Sequence, residues 1–292
     1  MTDRQAAGDI RSPQHFSWRF VQAIIITTFL LGILACRNSE TREETTPAPG
    51  SVSTDASEVV SRYLAQERKP DSAVRMRVKI IDSGTAAVTG APSDVELALY
   101  SKRTGDGGRL MFVQFVSPPQ ERDRDSLVTI SQRDEVEGIR YVQSNDSFLT
   151  TKGVTSEDAL FGMTIQEIAD GQPEKYDFAL AGEQSVGNRP VYKIDGKLKA
   201  GAESKFPRLV LLIAKDNYAA VGAEFYDNHN QVARRVTVEE IKQVEGQWTR
   251  MRWTLDNAAR GKRLEFQTIE ARYQNVNDSI FTREHLKKVA TK

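Results

Sequence analysis

Apolar and polar residues alternate with a period of two over much of the chain after residue 70. In residues 74–80 the apolar side chains are separated by arginine and lysine, and residues 95–99 repeat the alternation. This period places every second side chain on the same face, as in a strand with one buried face and one wet face. Residues 109–116 are apolar at odd and even positions alike, which predicts a strand that is covered on both faces.

Further strand-like segments follow at short intervals, with turn-forming residues between them. They are predicted at residues 127–131, 138–143, 176–180, 191–195, 208–215, 219–226, 232–244, 248–255 and 263–273. Pairs such as Asp216-Asn217 and Glu245-Gly246 favour hairpin turns between the later strands. No alternation of strands with long helices is visible. The pattern therefore predicts a mainly β fold, with one large curved antiparallel sheet or open barrel rather than a doubly wound sheet.

Two short helices are predicted at the ends of this strand-rich region. Asp55 and Glu58 have the spacing of a capping box in front of an amphipathic segment, and Pro70 ends that segment. A last helical turn begins at Thr282, where Phe281 and Leu286 have the spacing of a hydrophobic staple.

Two further helical segments in the middle of the chain carry a dense apolar group. An antiparallel sheet with few helices exposes an apolar face unless another element covers it. We therefore hypothesise that residues 148–168 form a movable cover over the sheet; a fixed core plug is the alternative. The proposed cover residues are Phe148, Leu160, Phe161, Met163, Ile165 and Ile168.

The N-terminal region has the pattern of a lipoprotein signal peptide. Arginines precede an apolar run at residues 23–34, which is shorter than the roughly 20 residues that cross a bilayer, so a permanent helical anchor is the weaker interpretation. The run ends close to Cys36, and the residues before this cysteine resemble a bacterial lipobox. We predict a signal peptide at residues 1–35, a lipidated Cys36 with a flexible tether at 36–57, and one β domain at 58–292.

Composition argues against several classes of protein. The chain has 40 Lys and Arg against 40 Asp and Glu, so it has no basic excess for nucleic acid. Its single cysteine excludes an intramolecular disulfide framework. His15, His229 and His285 have no second ligand at metal spacing, and no nucleophile elbow or P-loop occurs. We therefore expect no enzyme activity, no catalytic residues, no cofactor and no metal site.

Several short motifs together resemble the outer-membrane lipoprotein-sorting proteins, the LolA and LolB-like family. The resemblance covers residues 73–288. The motifs are Phe115-Val116-Ser117-Pro118, Phe161-Gly162 followed by Glu167-Ile168, Ala223-Glu224-Phe225-Tyr226-Asp227, Gly246-Gln247-Trp248 and Asn277-Asp278-Ser279-Ile280-Phe281-Thr282. The resemblance implies an incomplete barrel around a hydrophobic cavity that holds acyl chains of lipoproteins or other lipids.

Six aromatic residues are candidates for the lining of such a cavity, although ordinary core packing is an equally good interpretation of each. They are Phe112, Phe115, Phe178, Phe225, Trp253 and Phe266. The N-terminal pattern predicts a periplasmic protein that is anchored through Cys36. Arg37 and Asn38 follow the cysteine, and by the sorting rule of Gram-negative lipoproteins the absence of aspartate there implies the outer membrane. An inner-membrane transporter is a possible partner. The alternative is a structural or regulatory ectodomain with a filled cavity that acts through its surface.

Replacement of Cys36 tests the predicted anchor. We expect the wild-type protein to incorporate a radiolabelled fatty acid in cells, and Cys36→Ser to incorporate none, because Cys36 is the only thiol in the chain. A single acyl chain binds a membrane with a constant of only about 10⁴ per molar, so stable anchoring requires two or three chains. Ser39→Ala is the matched control and should label like wild type. Labelling of Cys36→Ser would contradict the prediction.

Overall fold

Thirteen strands form one antiparallel sheet in the computed structural model, which describes residues 55–67, 70–82, 94–131, 135–152, 173–258 and 261–291. The strands are β1 (Ser72–Asp82), β2 (Asp94–Arg103), β3 (Arg109–Ser117), β4 (Ser126–Ile130), β5 (Val136–Val142), β6 (Ser147–Lys152), β7 (Tyr176–Val186), β8 (Arg189–Leu198), β9 (Arg208–Ala214), β10 (Ala220–Tyr226), β11 (Val232–Val244), β12 (Gln247–Asn257) and β13 (Lys262–Arg272). Two α-helices flank the strands in sequence, α1 (Ala56–Glu67) and α2 (Arg283–Ala290).

The strand order is β6-β5-β4-β3-β2-β1-β13-β12-β11-β10-β9-β8-β7. Neighbours in this order are consecutive in the chain, except that β1 pairs with β13, from Ala73 opposite Arg272 to Asp82 opposite Lys262. The edges are β6 and β7, so the sheet is not closed into a barrel. The predicted mainly β fold with an incomplete barrel is confirmed.

Every strand predicted from the pattern is present, and one strand was missed. Strand β6 pairs with β5 along its whole length, from Ser147 to Lys152. Its side chains are half-buried or exposed, so it lacks the alternation that identified the other strands. This strand corrects the proposed start of the cover, because Phe148 lies inside β6 and its ring is 5.4 Å from the ring of Tyr141. Phe148 is therefore a sheet residue.

Helix α1 begins as predicted at Asp55, whose carboxylate accepts a hydrogen bond from the Ser57 amide at 2.9 Å. Glu58 does not complete a capping box; its carboxylate pairs with Arg62 at 2.6 Å instead. The apolar stripe of α1, with Val59, Val60 and Tyr63 buried, packs against one face of β7–β10. We call this the inner face of the sheet.

A second core lies on the inner face of β1–β3 and β11–β13. Its buried members are Val78, Val95, Leu97, Val113, Phe115, Leu255, Leu264 and Phe266. The half-buried side chain of Val236 in β11 packs against both this core and the core under α1. The inner face is therefore apolar across most of the sheet.

Helix α2 covers the opposite, outer face near β3–β5. It begins at Thr282, whose hydroxyl accepts a hydrogen bond from the His285 amide at 3.1 Å, as the sequence predicted. Leu286 is fully buried in a cluster with Phe112 and Tyr141, and Phe281 packs against the same cluster. The predicted staple residues thus meet. Strand β3 is covered on both faces, because its outer side chains contact α2 and its inner ones join the inner core.

Several predictions concern residues outside the described ranges. These are the signal peptide, Cys36, the tether up to residue 54, the two mid-chain helical segments and five of the six cover residues, Leu160, Phe161, Met163, Ile165 and Ile168. They remain predictions, as do the domain boundaries. The last residues of the predicted tether, 55–57, are described and form the cap and the first turn of α1, so the tether ends earlier than predicted. Within the described ranges, no helix combines the length and the apolar character needed to span a membrane.

Truncation of Leu286 tests the role of α2. Leu286→Ala removes a fully buried side chain from the cluster around Phe112, so we expect a loss of roughly 2–5 kcal/mol in the free energy of unfolding. Urea denaturation measures this change. The control is Leu149→Ala in β6, where the side chain is 46% exposed and little change is expected. Equal stability of the two variants would show that α2 does not pack as described.

Candidate ligand cavity

A cavity of about 270 Å³ lies on the inner face, beyond the C-terminal end of α1. It is lined by Gln66, Glu67, Ser72, Val74, Met76, Leu99, Ser101, Arg109, Met111, Ala219, Ala220, Ile241, Trp248, Thr249, Arg250, Trp253, Thr268 and Tyr273. These residues come from strands that span the order β3 to β10, which would measure roughly 29 Å if flat, at about 4.8 Å per strand spacing. One small cavity contacts all of them, so the sheet curls around it.

The apolar part of the wall comes from alternate positions of neighbouring strands. Val74 and Met76 lie in β1, Leu99 in β2, Met111 in β3 and Trp253 in β12. The period of two in the sequence places these side chains on the inner face together with the buried core. Methionine is flexible and adapts to ligands of different shape. This part of the wall suits a hydrocarbon chain.

The polar part of the wall is held together by hydrogen bonds. The Arg250 guanidinium pairs with the Glu67 carboxylate at 2.9 Å, and the Arg250 carbonyl accepts a hydrogen bond from the Thr268 hydroxyl at 2.7 Å. The hydroxyls of Thr249 and Tyr273 are 2.8 Å apart. The negative charge of Glu67 raises the pKa of Arg250 above its ordinary value, so the guanidinium stays charged.

Arg109 is a second cation in the wall. Its Nη1 donates a hydrogen bond to the Ser101 hydroxyl at 2.7 Å. Burial, and next the positive charge of Arg103, lower the pKa of Arg109 below its ordinary value. The cavity therefore joins a hydrocarbon surface to charged groups, which is the chemistry that an amphiphilic ligand requires.

The six aromatic candidates for the cavity lining lie in different parts of the structure. Trp253 lines the cavity, and its ring stacks on the Phe266 ring with centroids 3.7 Å apart. Phe266 and Phe115 are buried in the core on the inner face and do not line the cavity. Phe112 needs correction: it lies on the outer face, with its ring 5.2 Å from the His285 ring of α2. It cannot share a cavity with Phe115, because odd and even positions of a strand point to opposite faces.

The remaining two candidates lie near α1. Phe225 and Phe178 are half-buried and pack against the core beneath this helix. Phe178 also lines a groove of about 410 Å³ between α1 and β7, together with Val60 and Leu64. Its ring lies over Gly196, where a Cβ atom would come within 2.7 Å of the ring, so the strand requires glycine there. Phe178 and Trp253 thus face different spaces.

Sequence reasoning missed the polar residues of the cavity. Glu67, Arg109 and Arg250 were not singled out, because they are distant in the sequence and come together only in the folded chain. Glu67 and Arg250, the most distant pair, are 183 residues apart. A signal existed for Arg109, which has the same strand parity as the apolar Met111. An arginine that lies an even number of residues from the apolar residues of a strand shares their face, and is therefore a candidate for a buried charge.

The described residues contain no group of three or more His, Cys, Asp or Glu side chains that could hold a metal ion. His229 lies in an exposed turn, where its amide donates a hydrogen bond to the Asp227 carboxylate at 2.9 Å. His285 lies in the first turn of α2 against Phe112. These two histidines are far apart in sequence and belong to different elements.

Solved structures define the class of fold. The chain is similar to a DUF1329 family protein from Desulfovibrio piger (TM-score 0.67, 19% identity), with 80% of this chain and 100% of that chain covered. It is also similar to a domain assigned to the outer membrane lipoprotein-sorting proteins from Vibrio parahaemolyticus (TM-score 0.66, 18% identity, 79% and 97% covered). A LolA superfamily protein from Nitrosomonas europaea follows (TM-score 0.59, 14% identity, 80% and 99% covered). The resemblance to LolA-like proteins is thereby confirmed as a shared fold.

The family assignment rests on a sequence comparison. A family model described as uncharacterized protein-like matches residues 107–288, which is more than half of the chain. The chain belongs to this family. A search among curated proteins finds no match.

A buried carboxyl group attaches the segment before β4 to strand β3. Asp125 Oδ1 accepts a hydrogen bond from the Phe115 amide at 2.7 Å, while Oδ2 is buried and has no hydrogen-bond partner among the described residues. Burial raises the pKa of Asp125 to about 7 from an ordinary value of 3.8, against the opposing effects of the Phe115 amide and of Arg122. Between about pH 3.8 and pH 7 the folded protein therefore holds a proton on Asp125 that the unfolded chain releases.

This shift predicts a pH dependence of stability. The contribution of Asp125 is fully present below pH 3.8 and declines as the pH rises towards about 7, by at most about 1.4 kcal/mol per pH unit. We expect Asp125→Asn to raise the stability at pH 8 and to leave it nearly unchanged at pH 4. Urea denaturation at both pH values measures this difference. The control is Asp123→Asn at an exposed neighbour, and a parallel response of both variants would contradict the prediction.

Proposed function

We propose that this protein is a lipid-anchored protein of the bacterial envelope that holds acyl chains of lipoproteins or other lipids, for lipoprotein sorting or lipid transfer. The observation that carries the proposal is the cavity on the inner face, whose apolar wall includes Met76, Leu99, Met111 and Trp253. The fold shared with a lipoprotein-sorting domain and with a LolA superfamily protein supports it. Binding, rather than catalysis, is the activity that such a wall can provide.

The size of the cavity limits how a chain is held. A volume of about 270 Å³ lies just below the roughly 300–1,000 Å³ of typical small-ligand sites, so it fits part of one acyl chain. Each enclosed methylene contributes roughly 0.8 kcal/mol, and full burial of a 16-carbon chain would contribute on the order of 12 kcal/mol. Partial enclosure keeps the ligand exchangeable, whereas full enclosure requires the site to open and close.

The movable cover belongs to this proposal. Leu160, Phe161, Met163 and Ile165 would occupy the site when it is empty and move aside for a chain. Strand β6 limits the cover to residues after Lys152, because residues up to that point are paired with β5. Cys36 would hold the protein on the periplasmic face of the outer membrane, and an inner-membrane transporter is the candidate donor of cargo.

One observation favours the alternative of a regulatory or structural ectodomain. Helix α1 already fills the inner face of β7–β10 with Val59, Val60 and Tyr63, all of which are buried. A protein whose inner face is partly filled by its own helix could act through its surface. The cavity beyond Glu67 distinguishes the two functions, since only the lipid-binding function requires a ligand there.

Intrinsic fluorescence tests the lipid-binding function directly. Two of the three tryptophans, Trp248 and Trp253, line the cavity. A 12-carbon fatty acid that carries bromine on its chain should therefore quench the fluorescence of the full chain carrying Cys36→Ser. We expect Val74→Phe, which fills the apolar wall, to weaken binding about tenfold or more, since about two lost methylene burials correspond to this factor.

The control for this experiment is Ile269→Phe in β13, at a side chain that is 44% exposed. This variant should bind like wild type, and thermal melting should show that both variants are folded. Quenching that saturates in the control and weakens in Val74→Phe supports a ligand in the cavity. Equal quenching in both variants, or none in the wild type, would contradict the proposal and favour the surface function.

A further inference from the structure

One end of the cavity wall is built from buried hydroxyl groups. Ser72 at the start of β1 lies directly opposite Ser101 in β2, and both line the cavity although only 7% and 4% of their surfaces are exposed. The hydroxyls of Thr249 and Tyr273, which also line the cavity, are 2.8 Å apart. Because β13 pairs with the first residues of β1 up to the position before Tyr273, all four hydroxyls lie at the same end of the strands.

The other end of the wall is apolar and adjoins the core. Along β1 the inner side chains run from Ser72 through Val74 to Met76, so the wall changes from polar to apolar in this direction. Met76, Leu99 and Trp253 line the cavity and also pack against the buried core of the inner face. A chain with a polar head therefore fits with its apolar end against this core and its head beside the hydroxyls.

The charged side chains of the wall have opposite charges close to them. The ionised lining residues are Glu67, Arg109 and Arg250, and Glu67 pairs with Arg250 at 2.9 Å. Burial and Arg103 lower the pKa of Arg109, and the carboxylates of Asp71 and Glu67 oppose this shift. An anionic head would add a further negative charge beside these carboxylates, and burial of an incompletely paired charge is costly. An uncharged head avoids this cost.

Hydroxyl groups match an uncharged head that carries oxygen atoms. A hydroxyl has one donor and two acceptor sites, so it can donate to an ester carbonyl and accept from an alcohol. The Ser101 hydroxyl accepts a hydrogen bond from Arg109 at 2.7 Å, and its O–H group can still donate. Burial of a polar group is favourable only when it is hydrogen-bonded, so these serines favour a ligand with oxygen atoms over a bare hydrocarbon chain.

We propose that Ser72 and Ser101 form a subsite for the uncharged head of an ester-linked acyl chain, with the chain extending towards Met76 and Trp253. This inference rests on the proposed lipid-binding function and adds the polarity of the head and the direction of the chain. The ester carbonyl accepts hydrogen bonds from the serine hydroxyls. A free fatty acid brings an ionised carboxylate to a wall that already holds carboxylates, so the esterified chain is preferred.

Two brominated 12-carbon probes with the same chain test this preference, the glycerol monoester and the free fatty acid. Tryptophan quenching of the full chain carrying Cys36→Ser measures both affinities at pH 8, where the acid is ionised. We expect the ester to bind about tenfold more tightly, which corresponds to about 1.4 kcal/mol. The double variant Ser72→Ala with Ser101→Ala should reduce this preference to about twofold by weakening the ester alone, and Ser72→Ala should have an intermediate effect.

The matched control is Ser126→Ala in β4, at a serine that is 7% exposed and does not line the cavity. It should keep the preference for the ester, and thermal melting should show that all variants are folded. An unlabelled acylglycerol and a synthetic diacylated lipopeptide then compete with the bound ester. Stronger displacement by the acylglycerol indicates a free glycerolipid as ligand, and stronger displacement by the lipopeptide indicates a lipoprotein; either result supports the proposal.

The position of the bromine tests the direction of the chain. Trp248 lies beside Thr249, and Trp253 lies five residues further along β12, up to roughly 16 Å away at about 3.3 Å per residue. A bromine on the terminal carbon of the ester should therefore quench Trp253 more strongly than Trp248. The variants Trp248→Phe and Trp253→Phe separate the two signals at saturation. Stronger quenching of Trp248 by the terminal bromine would contradict the proposed direction.

Two outcomes overturn the proposed selectivity in distinguishable ways. If the acid binds as tightly as the ester, or if the serine variants weaken both probes equally, the uncharged-head subsite is wrong while the lipid-binding function stands. If neither probe quenches the wild-type fluorescence, both the subsite and the proposed function are wrong.

Discussion

The antiparallel pairing of β1 with β13 holds the two halves of the sheet together. Every other pairing in the described sheet joins consecutive strands and can form as a local hairpin. The β1–β13 pairing joins residues 73–82 to residues 262–272. Without it β1–β6 and β7–β13 would be separate sheets, and each would expose an apolar inner face. The entropy of closing so long a loop grows only logarithmically with its length, so the core shared by β1, β2, β12 and β13 can offset it.

The cavity exists because α1 fills only part of the curled sheet. Its stripe of Val59, Val60 and Tyr63 covers the β7–β10 side. The helix ends at Glu67, and the ion pair between Glu67 and Arg250 attaches that end to β12. Beyond this ion pair no helix of the described residues fills the inner face. The boundary explains the mixed wall, which is polar where the helix ends and apolar where the strands continue.

Strand β3 shows how one element serves both faces. Its outer side chain Phe112 packs on α2, whereas Met111 and Phe115 face inward to the cavity wall and the core. The Asp125 carboxyl group accepts a hydrogen bond from the Phe115 amide and so attaches the segment before β4 to this strand. A change at Phe112 on the outer face can therefore disturb the cavity through β3, although Phe112 itself does not line the cavity.

The sequence by itself determined the type and approximate bounds of twelve strands and of both helices, because the period of two, the caps at Asp55 and Thr282, and the turn residues are local signals. It missed β6, whose side chains are too exposed to alternate. It also grouped Phe112 with Phe115, although strand parity separates them. Only the tertiary structure decided which residues form the cavity, because Glu67, Arg109 and Arg250 meet through the β1–β13 pairing and the curl of the sheet. Local patterns specify which face a side chain takes, whereas long-range pairing decides what lies opposite that face.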